Sequence, residues 1–174
     1  MLTDVYIGIG SNLGDREARI RAAVEAVQSR FGVPLRLSSL YETQARIVTD
    51  QPAFLNAAAH FRSSLAPTRI LGRLLEIEIE QGRDRVSSMD KGPRRIDLDL
   101  LMVGQLVLDS ETLVLPHPEM ASRRFVLAPL ADLAADVEVP LLGLTVRELL
   151  ARCADDGWVR RVNEGRTVQG RRCT

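Results

Sequence analysis

The order strand, helix, strand, strand, helix, strand can be read along this chain, and it predicts an α+β fold of the ferredoxin-like sandwich type. That fold is a mainly antiparallel sheet with flanking helices packed on one face. Three observations carry the expectation. Residues 20–31 and 70–77 place apolar side chains at helical spacing. Segments near 5–9, 35–41, 54–61 and 96–103 run or alternate apolar at strand length. Glycine- and proline-containing turns separate them, and 174 residues suit one domain with a real core. The expected organisation is one folded domain over 1–156 and a basic tail, 157–174, that frays.

Each element has a local reason. Val5 to Ile9 is a short apolar run that ends in Gly10-Ser11-Asn12-Leu13-Gly14-Asp15, so a strand leads through a tight turn into a helix. Asp15 is placed to cap that helix, Ile20, Val24, Val27 and Phe31 form its buried stripe, and Gly32 stops it. The glycine loop is no P-loop, because the Lys-Ser/Thr that would hold phosphate is absent. Leu35 to Tyr41 returns as a strand, and Glu42 to Pro52 lacks periodicity and reads as a loop of functional length. Phe54 to Phe61 is the next strand, interrupted by Asn56. Pro67 and Gly82 bracket a helix whose buried stripe is Ile70, Leu71, Leu74, Leu75 and Ile77, leaving Glu76, Glu78 and Glu80 facing solvent by default. Arg83 to Asp90 is a polar loop, Ile96 to Val103 a strand that should lie centrally in the sheet, and Gln105 to Leu108 a short return. His117 sits between Pro116 and Pro118 in an extended turn. Ala128 to Leu133 and Thr145 to Cys153 read as helices on either side of a turn at Pro140.

Composition narrows the function classes. Net charge is zero, so no whole-protein field draws the chain to nucleic acid or to a membrane. No apolar run approaches the roughly 18 residues of a membrane span, and Val5 already begins a strand, so no leader is expected. Cys153 and Cys173 have neither the spacing nor the neighbours of a zinc site or redox pair, which fits a reduced, cytoplasmic setting. Positive charge is nonetheless clustered at Arg83, Arg85, Lys91, Arg94 and Arg95, as a solvated face or as a funnel for phosphate.

The stretch Lys91-Gly92-Pro93-Arg94-Arg95-Ile96-Asp97-Leu98-Asp99-Leu100-Leu101-Met102 organises the rest. A strand repeats with period two, so Asp97 and Asp99 share a face, roughly 7 Å apart at the backbone. Two carboxylates there repel, and hard oxygen ligands suit magnesium. The chemical reading is one or two Mg²⁺ ions on Asp97 and Asp99, with a nucleotide's phosphates on the metal and on nearby guanidinium groups. The competing reading is that Arg94 and Arg95 simply salt-bridge the carboxylates at a sheet edge.

Residues Asp90 to Leu101 closely resemble the signature of 6-hydroxymethyl-7,8-dihydropterin pyrophosphokinases, the folate-pathway enzymes that move a pyrophosphoryl group from ATP to a pterin alcohol. The resemblance extends from Tyr6-Ile7-Gly8-Ile9-Gly10-Ser11-Asn12-Leu13-Gly14 to about Leu150. It implies that Asp97 and Asp99 hold two Mg²⁺ ions bridging the ATP phosphates and that Arg83, Arg94 and Arg123 clamp phosphate, with Arg85 beside them. It further implies that Glu78, Leu100 and His117 lie on the ATP side. Thr43, Phe54, Asn56 and Phe125 would take the pterin, between the two phenyl rings and against the Asn56 amide. The loop over 42–52 would fold across it. The substrates would be ATP and the pterin, acted on by a monomer that binds no nucleic acid and no membrane.

The chain departs from the family pattern at Gln44, where proline is usual, and at Arg46, where an apolar residue is common. Lys91 replaces a frequent tryptophan, and the segment from Gly82 to Gly92 is one residue longer. Two rival readings stand beside the resemblance. A nucleotidyl-transferring two-metal enzyme differs in its acceptor, a 3′-hydroxyl in place of a pterin. An RNA-binding module would need aromatics exposed on central strands, and Ile96 to Val103 has none.

Overall fold

The computed structural model describes residues 1–45, 51–83 and 93–162. Strand β1 (Thr3–Ser11) runs through the middle of the sheet, antiparallel to β4 (Phe54–Ser63) on one side and β5 (Asp97–Val103) on the other. Beside β4 lie β2 (Arg36–Leu37) and β3 (Tyr41–Thr43), and β10 (Val159–Arg161) pairs with β3 to close the far edge. The order is β10-β3-β4-β1-β5, with β2 also on β4.

Helix α1 (Arg16–Phe31) begins and ends where its residues dictate. The Asp15 carboxylate accepts the Ala18 N–H at 3.0 Å, and Gly32, at φ 64°, donates its N–H to the Gln28 carbonyl. Helix α2 (Pro67–Glu80) starts on Pro67, which loses no hydrogen bond at that position. Together they cover one sheet face: Ile20 and Val27 of α1 and Ile70, Leu74 and Ile77 of α2 close over Val5, Ile7, Ile9 and Phe61. Burying each such large side chain contributes roughly 1.5–3 kcal/mol.

The opposite face is covered too, so the helices are not confined to one side as expected. Helix α3 (Arg124–Ala134) and helix α4 (Val146–Arg152) bury Val126, Leu127, Leu130 and Leu149 against Tyr6, Ala58, Leu101 and Met102. The physical reason lies in β5, which is apolar on both faces and must be covered on both. That also corrects the position expected for the Asp97 strand. In the sheet it is an edge strand, not a central one, and its near-continuous apolar run reflects two covering layers. Its outer edge is in turn met by the chain at His117, whose N–H donates to the Leu101 carbonyl at 2.9 Å.

Three further differences from the sequence reading have local causes. The strand expected over 35–41 is two short strands, because Ser38 substitutes its own bonds for the ladder: its N–H donates to the Ala58 carbonyl and its hydroxyl accepts the Ala58 N–H. The return after β5 is delayed by a turn at Gly104, at φ 52°, so that β6 (Leu108–Asp109) and β7 (Val114–Leu115) form a hairpin. Val159–Arg161, in the segment expected to fray, is held as β10 by its pairing with β3. A second hairpin, β8 (Glu138–Val139) and β9 (Leu144–Thr145), spans Pro140, and Thr145 then caps α4 in a reciprocal box with Glu148. Among the described residues no helix is long and apolar enough to cross a membrane.

Asp132 on α3 pins the start of β3, accepting the Ser39 N–H and the Tyr41 hydroxyl, each at 3.0 Å. Burial, then the Asp132 hydrogen bond and charge, push the Tyr41 phenol up to about 12. An unfolded tyrosine ionises near 10. The contribution is therefore complete below about pH 10 and is lost as pH rises toward 12. Urea midpoints measured between pH 9 and 12 should fall across that window in the unmodified chain, and Tyr41→Phe should flatten the decline.

Candidate active site

The register of β4, β1 and β5 builds a floor. Asn56 pairs with Gly10 and Gly10 with Asp97, while Ala58 pairs with Gly8 and Gly8 with Asp99. Residues in such a row share a face. The floor therefore carries two carboxylates on β5, two side-chain-free positions on β1, and an amide on β4. Glycine at position 10 leaves room for the amide: a Cβ there would lie 2.8 Å from Asn56 Oδ1 and force it to shift. At Gly8 the nearest atoms would be 3.7 Å away, an ordinary contact.

Above this floor opens a cavity of about 260 Å³ whose lining includes Thr43, Phe54, Asn56, Asp97, Asp99 and Phe125. That volume of about 260 Å³ falls just below the range of small-molecule sites, about 300–1,000 Å³. It suits one bicyclic ring better than a whole nucleotide. The two phenyl rings each carry a guanidinium, Arg94 at 5.9 Å from the Phe54 centroid and Arg123 at 5.6 Å from that of Phe125. Asn56 is 7% exposed and oriented: its amide donates to Thr43 Oγ1 at 2.7 Å.

Charge around the two aspartates is unevenly compensated. Arg83 bonds both Glu78 and Asp97, and Arg94 bonds Asp97 from the other side. Burial works to raise the Asp97 pKa, but the Arg94 and Arg83 charges outweigh it and hold the carboxyl below its ordinary range. Asp99 behaves oppositely: burial, then the Asp97 and Glu78 charges, push it up to about 7. The salt-bridge reading of the pair thus holds for Asp97 with Arg94 and fails for Asp99, which no cation bridges among the described residues.

Two anchors differ from what their local sequence suggested: Glu78, which the resemblance puts on the ATP side, in its burial, and Asn12 in its role. Glu78, expected to face solvent, is fully buried, and its carboxylate accepts the Leu98 N–H at 2.7 Å as well as the Arg83 guanidinium. It therefore fixes both β5 and Arg83, and it lies outside the cavity lining. Helical arithmetic was the missed signal, since residue 78 falls on the stripe of 70, 74 and 77. Asn12 is the second anchor. Its backbone N–H donates to the Arg94 carbonyl, its Oδ1 accepts the Arg94 N–H at 2.8 Å, and its amide donates to Gln51 Oε1 and the Pro52 carbonyl. Ser11 Oγ adds a 2.6 Å bond to the Arg95 carbonyl. The turn read from sequence as structural thus clamps the chain on both sides of the site.

Of the other expected residues, Leu100 puts its side chain into the core at 3% exposure and His117 borders the site outside the cavity lining. Burial and the Arg123 charge lower the His117 pKa, and its Nδ1 accepts the Glu119 N–H at 3.2 Å. A neutral ring in that tautomer presents Nε2–H as its donor. Arg123 itself pairs with Glu119 at 2.5 Å. Arg85, Arg46 and Lys91 lie outside the described residues.

A sequence model of the family described as 7,8-dihydro-6-hydroxymethylpterin-pyrophosphokinase (HPPK) matches residues 6–135. The 2-amino-4-hydroxy-6-hydroxymethyldihydropteridine pyrophosphokinase of Pseudomonas aeruginosa is 42% identical over 158 residues, covering 90% of this chain and 96% of that protein. The folic acid synthesis protein fol1 of Pneumocystis carinii is also 42% identical, over 87% of this chain but only 20% of its own length. Among solved structures, the HPPK-DHPS of Plasmodium falciparum with pteroate superposes with a TM-score of 0.68 at 13% identity. That match covers 87% of this chain and 42% of that one, and speaks for the fold alone. The chain spans about a fifth of the Pneumocystis protein and under half of the Plasmodium one. With the family model matched across most of its length, and with the carboxylate pair, the oriented amide and the paired phenyl rings on one cavity, this chain belongs to the 7,8-dihydro-6-hydroxymethylpterin-pyrophosphokinase family.

Proposed function

We infer that this chain transfers a pyrophosphoryl group from ATP to the hydroxymethyl oxygen of 6-hydroxymethyl-7,8-dihydropterin, releasing AMP, as a step in folate biosynthesis. The observation that carries the reading is the floor itself, on which Asp97 and Asp99 of β5 line the same aromatic-walled cavity as the oriented Asn56 amide of β4, with only the glycines of β1 between them. The sheet order supports the ferredoxin-like description as well, once β2 and β3 are counted as one interrupted strand.

In this reading the pterin ring lies between Phe54 and Phe125, and the donor and acceptor of Asn56 read its hydrogen-bonding edge. Thr43, buried at 2% exposure, orients that amide. Asp97 and Asp99 would hold Mg²⁺, as two ions. The donor set fits: both are hard oxygen ligands, and the Asp97 and Glu78 charges beside Asp99 favour a cation. Among the described residues no cluster of three or more His, Cys, Asp or Glu side chains forms a metal cage, so phosphate and water would complete the coordination. Bound there, Mg²⁺ supplies charge neutralisation for the triphosphate.

The chain's own work is placement and charge. Arg83 and Arg94 are already drawn to Asp97 and so stand where phosphate oxygens arrive, with Arg123 on the Phe125 side and Arg85 expected beside them. The neutral His117 donates through Nε2 to a phosphate oxygen. The pterin hydroxyl oxygen attacks the β-phosphorus and gives up its proton to solvent, the bond from that phosphorus to the oxygen bridging the α-phosphate breaks, and AMP leaves with the electron pair.

Incubation with ATP, Mg²⁺ and the pterin should yield AMP that depends on all three, as resolved by nucleotide chromatography. ADP in its place would overturn the reading. Asp99→Asn should lower turnover by about 10²-fold or more while leaving the thermal midpoint unchanged or higher, because it removes a like charge from beside Asp97. A side chain present only for stability would do the reverse. Gly10→Ala should displace Asn56, cost about 1–3 kcal/mol by overpacking, and raise the KM for pterin. Gly8→Ala should leave the urea midpoint nearly unchanged.

A further inference from the structure

The C-terminal segment beyond α4 is tied to the start of α3 by bonds that run both ways. The Asp155 carboxylate, 8% exposed, accepts the Arg124 N–H at 2.9 Å through Oδ2 and the Gly157 N–H at 2.9 Å through Oδ1. The Arg124 guanidinium returns two bonds, to the carbonyls of Asp155 and Cys153, each at 2.9 Å. The segment is then carried into the sheet: the Gln44 N–H donates to the Trp158 carbonyl and β10 pairs with β3. Asp155 itself lines the cavity.

The neighbours of Arg124 give this knot its meaning. Arg123 and Phe125 flank it in sequence, and both line the same cavity. An N–H in the first turn of a helix has no partner within the helix, so an accepting carboxylate there decides where the helix begins and which way its first side chains point. At the other end of the segment, Trp158 and β10 hold Thr43 and Gln44, the opposite rim. One segment therefore sets the spacing between the Phe125 wall and the Thr43–Asn56 edge.

We propose that Asp155 and Arg124 are positioning residues for the pterin half of the site, acting through Phe125 and Thr43. This rests on the pyrophosphokinase reading given above. Their loss should loosen the wall against which the ring stacks and leave the β5 carboxylates and their arginines in place. The effect belongs mainly in pterin affinity.

The test measures steady-state AMP formation with each substrate varied, and pterin binding by titration calorimetry, in the full chain and in Asp155→Asn and Arg124→Ala. Asp155→Asn keeps the shape but replaces one accepting oxygen with an N–H donor, so it cannot accept both backbone N–H groups. It should raise the KM and the Kd for pterin about tenfold, with the KM for ATP within twofold and kcat within threefold. Arg124→Ala keeps the backbone bond to Asp155 and removes only the two guanidinium bonds. It should shift pterin affinity about threefold in the same direction, and it decides the matter should the Asp155 variant fail to fold. The chain's one tryptophan, Trp158, supplies a separate readout: its emission should move to the red in both variants as the segment loosens. Unchanged pterin affinity in a folded Arg124→Ala or Asp155→Asn, or equal losses for ATP and pterin, would overturn the proposal while leaving the pyrophosphokinase reading intact. An unmodified chain that binds no pterin and forms no AMP would overturn that reading, and the positioning role with it.

Discussion

Two carboxylates on one face of a covered strand repel, and the construction around β5 answers that repulsion unequally. Arg83 and Arg94 converge on Asp97, and Glu78 beneath them holds Arg83 and the Leu98 N–H. Asp99 has no such bridge among the described residues and sits in the field of Asp97 and Glu78. A protein that needed only a stable strand would do better with an apolar residue there. The asymmetry holds one carboxylate in register through its arginines and leaves the other facing the cavity.

The local features of this architecture were legible because they depend on nearest neighbours. Asp15 and Gly32 bound α1 as their side-chain chemistry requires, and the shared face of Asp97 and Asp99 follows from strand geometry alone. What escaped depended on contacts distant in sequence. Nothing in the apolar run of β5 distinguishes a central strand from an edge strand covered on both faces. The bonds of Asn12 to Arg94 and Gln51 span 82 and 39 positions, so a turn rich in glycine, serine and asparagine reads as structural until the partners are seen. Glu78 is a different kind of miss. Its place on the buried stripe was available from helical spacing, and the default for a glutamate outweighed it.

The floor of the cavity shows how sequence economy and chemistry coincide. Glycines at alternate positions of β1 clear the space beside the two aspartates, and the small Ala58 on β4 extends the same row toward α3. An alternating pattern of small residues on a strand flanked by charged ones thus marks a surface meant to be occupied by something other than protein.

The irregularity in β5 bears on how this chain tolerates change in length. The pairing with β1 slips between Tyr6 and Ile7, so Leu101 has no opposite residue, and Leu101 and Met102 both enter the layer under α3. The slip separates two stretches of strand whose inward and outward positions are set independently. One carries the aspartates, and the other carries Met102 and Val103 into their separate cores. Removal or insertion of one residue between Asp97 and Asp99 would put the two carboxylates on opposite faces of the strand. A length change at Leu101 would cost packing and leave the facing of Asp97 and Asp99 untouched.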